Sequence, residues 1–349
     1  MNIEIITTPN EDLKESGFGS LKACESVRES IVKMGHNVTL NICKTKYDLQ
    51  TIVMKKPDLV ILAVKYLWLE NEDDIYLSEY FDKHKINYTG SPKKVLKFDS
   101  NKVLAKRHLK NRGVKTLDFF TATPGQYKTK KELPIPFPLF LKPIDAANGN
   151  GIDDLSYVTN FEEFTSKVLS LHNEFHLPVL VEEYLEGNEY TVSVIQRGDG
   201  SLLTSHIEIV PPISTNGLKI LGHKAKTDNT EQLKKVLNHR LRVKLTKMAT
   251  DVFYGLKVRD FARIDIKTNQ SGECYFMEVN LVPGMTEGSS YFPKSCEIDN
   301  KLVYNDIVPL MLAQGLSRIP LPQPVNTKIE LIHNFTSELN HKYNNLVLN

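Results

Sequence analysis

The chain has 349 residues, more than one ordinary core requires, so two or three domains are expected. Lys plus Arg number 44 against 42 Asp plus Glu, a formal net charge of +2, and this near balance excludes nucleic acid as a default partner held by phosphate neutralisation. The longest apolar run, Leu59 to Val64, is far short of the roughly 18 to 20 residues that span a bilayer, and Met1-Asn2-Ile3-Glu4 opens no signal peptide. Cys24, Cys43, Cys274 and Cys296 form no CxxC pair, which fits a reducing compartment, so a cytoplasmic protein without membrane association is expected.

In chain order, Ile3–Ile6 is a short β-branched strand. Ser20 caps a helix with apolar residues at Leu21, Cys24, Val27, Ile31 and Met34, and Gly35 stops it. Val38–Ile42 reads as a second strand, Asp48–Lys56 as a helix, Leu59–Val64 as a buried third strand, and Glu72–His84 as another helix. This βαβα rhythm predicts a small parallel sheet covered on both faces, with ligands expected at its carboxyl edge, near Thr7–Ser20 and Lys65–Glu72.

Gly90-Ser91-Pro92 breaks the pattern and marks a boundary. A helix is expected over Ser100–Asn111, a loop over Thr123–Pro138, and strands at Leu139–Lys142, Leu155–Thr159 and Val179–Tyr184, with a helix over Asn160–Leu171. Beyond Glu186-Gly187 the strands take on an antiparallel character: Tyr190–Gln196, Leu202–Val210, then Asp260–Lys267 and Glu273–Asn280 around a turn at Thr268–Gly272. Tail helices are expected at Tyr304–Ala313 and Thr327–Tyr343.

The most informative stretch is Phe261-Ala-Arg-Ile-Asp-Ile-Lys267, a turn, then Tyr275-Phe-Met-Glu-Val-Asn280. Period-two alternation puts Arg263 and Asp265 on one face, and Glu278 and Asn280 on one face of the next strand. Paired in register, Asp265, Glu278 and Asn280 converge, and two carboxylates with an amide oxygen are hard ligands suited to Mg²⁺. An amphipathic hairpin with a solvated polar face, its core side made by Ile264, Ile266, Met277 and Val279, accounts for the same segment. Leu281-Val-Pro-Gly-Met-Thr-Glu-Gly-Ser-Ser290 follows, a turn with small hydroxyl residues able to offer N–H and O–H groups to an anion.

Two other stretches carry weaker signals. In Phe140-Leu-Lys142-Pro-Ile-Asp-Ala-Ala-Asn-Gly-Asn-Gly151 a lysine ends a strand before a small-residue loop that can fold over phosphates. Asn-Gly between apolar runs is equally a hairpin turn, the reading favoured for that loop alone. Val179-Leu-Val-Glu-Glu-Tyr-Leu-Glu-Gly-Asn-Glu189 is a strand running into a linker. Its backbone can meet an adenine ring, and a carboxylate beyond can take ribose hydroxyls.

In this order the segments resemble the ATP-grasp superfamily, and within it the D-alanine–D-alanine ligases, over about residues 90 to 317 and more loosely before. Arg263-Ile-Asp265, Glu278-Val-Asn280 and Pro283-Gly-Met-Thr286 carry the resemblance most strongly. It implies an α/β chain, α+β in its C-terminal part. A Rossmann-like parallel-sheet domain (1–91) would precede central (92–186) and C-terminal (187–318) ATP-grasp subdomains and an extension (319–349). It implies ATP, with Asp265, Glu278 and Asn280 as ligands of Mg²⁺ or, in its place, Mn²⁺. Lys102, Lys142 and Lys226 would lie on the phosphates, Asn148 and Gly149 in a phosphate loop, and Glu182, Glu183, Tyr184 and Leu185 at adenine. Glu189 would take the ribose, Arg263 the acyl phosphate and tetrahedral intermediate, and Ser289 and Ser290 the carboxylate of the second amino acid. Pro211–Asp228, with Lys224 and Lys226, would be a lid that excludes water and protects an acyl phosphate.

The departures fall in the layer facing the substrates. Ser16-Gly-Phe-Gly-Ser20 has no acid at the position that binds the first amino group in the family. Lys65-Tyr-Leu-Trp-Leu-Glu-Asn-Glu-Asp73 lacks the family's histidine and glycine, Asn148-Gly149 replaces a serine pair, and Thr227 replaces a tyrosine. Phe18, Lys65 and Glu287 are therefore the candidate substrate residues. The expectation is an ADP-forming carboxylate–amine ligase acting on small molecules of amino-acid or dipeptide type. The alternatives are a genuine D-alanine–D-alanine ligase and a non-catalytic ATP-binding protein. Related ligases pair as dimers, which implies a homodimer.

Overall fold

The computed structural model describes residues 1–9, 17–69, 73–145, 149–213 and 217–319. Its elements in order are β1 (Asn2–Thr7), α1 (Leu21–Lys33), β2 (Asn37–Ile42), α2 (Lys46–Met54), β3 (Leu59–Leu62), β4 (Tyr66–Leu67), β5 (Ile75–Tyr76) and α3 (Leu77–Lys83). Then come α4 (Lys93–Leu96), α5 (Lys102–Lys110), β6 (Phe119–Ala122), β7 (Leu139–Pro143), β8 (Tyr157–Val158), α6 (Phe161–Phe175) and β9 (Val179–Glu183). The remainder is β10 (Glu189–Gln196), β11 (Leu202–Val210), α7 (His223–Asp228), β12 (Gln232–Lys235), α8 (His239–Gly255), β13 (Phe261–Thr268), β14 (Cys274–Asn280), α9 (Tyr291–Asn300) and α10 (Tyr304–Ser317).

The first sheet is parallel, in the order β2-β1-β3. Ser20 caps α1 by accepting from the Ala23 N–H, and Thr45 forms a capping box with Asp48 on α2. Strand alternation divides the apolar residues between two layers. Ile3, Ile5, Leu59 and Ile61 pack with Cys24, Val27 and Ile31 of α1 and with Val308, Met311 and Leu312 of the distant α10. Ile6, Val60 and Leu62 pack with Leu49 and Ile52 of α2 and Leu77 and Phe81 of α3. The sheet is thus covered on both faces, one of them partly by a helix from the end of the described chain.

A second, antiparallel sheet runs β6-β9-β7-β8, and a third, also antiparallel, runs β12-β11-β10-β13-β14. Helix α8 buries Leu245, Met248, Ala249, Val252 and Phe253 against the third sheet's Val192, Val194, Ile264 and Phe276. The break at Gly90-Ser91-Pro92 is pinned to the third sheet. Asp260, fully buried, accepts from the Gly90 N–H at 2.7 Å and is forked by Arg318 at 2.6 and 2.8 Å.

Several expectations need correction. The helix expected from Glu72 begins at Leu77, because Ile75–Tyr76 pairs with Tyr66–Leu67 instead; Glu72 lies outside the described residues. Leu155 belongs to a 3₁₀ turn over Asp154–Ser156, and only Tyr157–Val158 pairs with β7. Strands β7 and β8 are therefore not joined by a tight hairpin turn at Gly149, and Asn148 is outside the described residues. The helix expected at Thr327–Tyr343 and the extension beyond residue 319 are likewise outside them. Sequence reasoning missed α8 although Leu245, Met248, Ala249, Val252 and Phe253 have helical spacing, and it also missed α9, β6 and β12.

Candidate active site

A cleft opens between the second and third sheets. Its walls are Phe140, Lys142, Glu182, Glu183, Tyr184 and Leu185 on one side and Asp265, Lys267, Met277 and Glu278 on the other, with Glu189, Ile220, Leu221, Lys226 and Tyr291 around them. Strands β13 and β14 pair as Arg263↔Asn280 and Asp265↔Glu278, so the expected ligand set meets across one ladder. Arg263 forks Asp265 at 3.1 and 3.0 Å, Asn280 Nδ2 donates to Asp265 at 3.3 Å, and Thr191 Oγ1 donates to Asp265 from β10. Arg263 also lies over the Tyr291 ring at 5.5 Å.

A bulge between Asp265 and Ile266 overturns one detail of the alternation. Met277, expected on the core side, lines the cleft beside Glu278, and Phe276 takes the buried position. Consequently both Met277 and Glu278 face the cleft, although they are neighbours in sequence.

The opposite wall rests on buried charge. Lys102 and Lys106 lie one helical turn apart on α5 and both turn inward. Lys102 reaches Glu278 at 3.4 Å. Lys106, with no exposed surface, meets Glu182 at 2.5 Å and donates to the Phe276 carbonyl at 3.1 Å. Lys142 meets the other Glu182 oxygen at 2.7 Å. Burial alone would raise the Glu182 carboxyl, but Lys106 and Lys142 hold it down at about 2. Burial lowers Lys106, only partly offset by Glu182, whereas for Lys142 the carboxylates of Glu182 and Glu278 outweigh burial and raise it. Burial works against an ionised Glu278 too, yet Lys102, Lys226, Lys142 and Arg263 hold it well below the usual carboxylate range. The Glu182 carboxylate is spent on two lysines, and Glu182, Glu183, Tyr184 and Leu185, expected at adenine, all line the cleft.

The loop after β7 and the expected lid touch each other. The His223 N–H donates to the Ile152 carbonyl at 3.2 Å. A Cβ on Gly222 would lie 2.6 Å from that carbonyl oxygen, and one on Gly149, at φ +73°, would lie 3.1 Å from the His223 nitrogen. This contact puts α7, with Lys226 on it, over the cleft. Residues 214–216 of the expected lid are outside the described residues.

The substrate-facing candidates are dispersed. Phe18 is 2% exposed and belongs to the apolar core; its N–H donates to the Ala63 carbonyl and its carbonyl accepts from the Met285 N–H, so its side chain is not a substrate contact. Lys65 is buried, 3.0 Å from Asp99, whose other oxygen accepts from the Leu281 N–H at 2.6 Å, next to Asn280. Glu287 and Ser289 are exposed, and Ser290 caps the turn by accepting from the Thr286 N–H at 3.0 Å, one residue before the cleft residue Tyr291. Sequence reasoning missed Lys106 and Lys267, although the i,i+4 spacing from Lys102 and the i,i+2 spacing from Asp265 were both legible. Among the described residues no cluster of three His, Cys, Asp or Glu side chains suits a metal. The candidate set here has two carboxylates, with an amide as its third donor.

Comparison with known proteins converges on one group. The family model for the D-ala D-ala ligase C-terminus matches residues 108–313. A D-alanine–D-alanine ligase of Aquifex aeolicus is 29% identical over 273 residues, 77% of this chain and 86% of that protein. D-alanine–D-alanine ligase A of Bacillus cereus is 26% identical over 302 residues, 83% and 95% respectively. In structure, a D-alanine–D-alanine ligase of Bacillus anthracis complexed with ATP gives a TM-score of 0.68 at 22% identity, over 90% of this chain and 97% of that one. The VanG D-Ala:D-Ser ligase of Enterococcus faecalis gives 0.66 at 18% identity, over 90% and 99%. These structural likenesses establish the shared fold.

Proposed function

The chain belongs to the D-ala D-ala ligase family and is an ATP-grasp C–N ligase; we propose that it activates a substrate carboxylate as an acyl phosphate and joins it to an amine of amino-acid type. A single observation supports this best: Arg263, Asp265, Glu278 and Asn280 meet on the β13–β14 ladder, opposite Lys142, with Lys102 on Glu278.

A carboxylate is a poor electrophile, so one of its oxygens first attacks the γ-phosphorus of ATP, breaking the bond to the β-bridging oxygen and releasing ADP. Lys102, Lys142 and Lys226 offset charge on the transferring phosphoryl oxygens. The amine then attacks the activated carbonyl, Arg263 stabilises the oxyanion, and phosphate departs with the acyl oxygen while the amine loses a proton. Asp265, Glu278 and Asn280 fit a hard divalent cation, Mg²⁺ or Mn²⁺, because two carboxylates and an amide lie together on one strand face. Such an ion supplies charge neutralisation at the phosphates. Glu183–Leu185 and Glu189 are assigned to base and ribose, and Ser289 and Ser290 to the carboxylate of the amine substrate.

The reading is tested by incubating the protein with ATP, Mg²⁺ and pooled L- and D-amino acids and searching for a condensed product by mass spectrometry. Uptake of ATP without any condensed product would sink it. The relatives' names favour D-alanine as both substrates, and ADP release that rises with D-alanine and ignores L-alanine is the outcome required of that narrower reading. A cytoplasmic location is supported by the four cysteines, all free and buried. Among the described residues no helix is long and apolar enough to cross a membrane. A homodimer, implied by the resemblance alone, is tested by sedimentation.

A further inference from the structure

Three same-face side chains run along β13 toward the cleft: Arg263, Asp265 and Lys267. The first two belong to the chemistry just proposed. Lys267 does not, and a lysine facing a nucleotide's base and ribose is an expensive choice unless it has work there. It is 8% exposed and lies 3.3 Å from Glu189 Oε1, with its ammonium 5.5 Å from the centre of the Tyr184 ring. Glu189 and Lys267 are direct cross-strand partners, and all three residues line the cleft.

We propose that Lys267 is a positioning and specificity residue of the nucleotide site, fixing the Glu189 carboxylate for the ribose hydroxyls. The inference rests on the ATP-dependent reading above and extends it. The ammonium engages one carboxylate oxygen and leaves the other to accept from a ribose hydroxyl. A sheet-stabilising ion pair is the plainer explanation. However, β10 and β13 are already paired over the seven positions from Glu189↔Lys267 to Ile195↔Phe261, and this pair sits at the cleft end of that ladder. The neighbouring position repeats the device, since Thr191 of β10 donates to Asp265 of β13. Strand β10 thus acts as a rack that orients the cleft residues of β13 and is oriented by them.

Calorimetric titration with ATP, 2′-deoxyATP and 3′-deoxyATP, in the presence of Mg²⁺, tests this on the full chain. The unaltered protein should bind ATP at least about tenfold more tightly than one of the two deoxy analogues, as loss of one hydrogen bond to a charged acceptor predicts. Lys267→Met should weaken ATP and shrink that preference to within about threefold, Lys267→Arg should retain it, and Glu189→Gln should shrink it as Lys267→Met does. If Lys267→Met unfolds, Lys267→Leu, which likewise removes both the charge and the donor, takes its place. Undiminished ribose discrimination in the uncharged variant overturns the inference and leaves the ligase reading intact. Failure of the unaltered chain to take up any of the three nucleotides overturns both.

Discussion

The two ends of the cleft are built differently. At the phosphate end Lys102, Lys142, Arg263, Asp265, Glu278 and Asn280 stand on helices or strands, and each meets a charged or polar partner. Arg263 forks Asp265, Thr191 and Asn280 hold the same carboxylate, and Glu182 is clamped between Lys106 and Lys142. At the substrate end the candidates stand on turns: Gly17–Ser20, Lys65 beyond β3, and Met285–Ser290, with Glu287 and Ser289 open to water. On the proposed reading, charge meant for a triphosphate is fixed by ladders and buried partners, whereas the candidates for choosing the acid and the amine sit on loops that can change without disturbing the sheets.

That contrast can be broken most directly at its rigid end. Asp265→Ala should lower the rate of condensed-product formation by about a thousandfold or more, with the far-ultraviolet circular dichroism unchanged. A mere few-fold loss would show that the ladder is scaffolding. Lys106→Met should cost about 3–5 kcal/mol in urea unfolding, because it leaves a buried carboxylate short of a partner, and the double variant with Glu182→Gln should recover part of the loss. A loss under about 1 kcal/mol would place the clamp among ornamental ion pairs.

The same carboxylate predicts acid behaviour. Its folded value of about 2 lies below the ordinary 4.5, so the stability it contributes is present above 4.5 and is lost as pH falls from there toward 2. Urea titrations across that window should show a slope that flattens in Lys106→Met. The loop end is expected to respond more mildly. Lys65→Ala should change the KM for the acid or the amine by about tenfold while ATP affinity changes less. Equal effects on both would mean that its pair with Asp99 serves the phosphate end instead.

The relation of sequence to structure follows the same divide. The parallel sheet, the α1 cap at Ser20, and the antiparallel strands from Tyr190 onward were legible because period and capping are local signals. So was the convergence of Asp265, Glu278 and Asn280, which needs only alternation and a hairpin. Phe18 was misread because a phenylalanine between glycines looks the same whether it faces a substrate or fills a core, and its burial depends on the distant Met285 and α10. The clamp on the Glu182 carboxylate was not legible, because nothing local says that Lys106 and Lys142 close on it.

By itself, then, the sequence determined which residue types repeat at strand and helix spacing, and hence the sheets and the row of charged side chains along β13. The tertiary structure decided where the bulge at Asp265 turned Met277 outward, which carboxylates became buried partners, and which loop met which. Those outcomes depend on contacts between segments far apart in the chain. Burial and charge pairing are properties of an assembled environment, which no window of neighbouring residues contains.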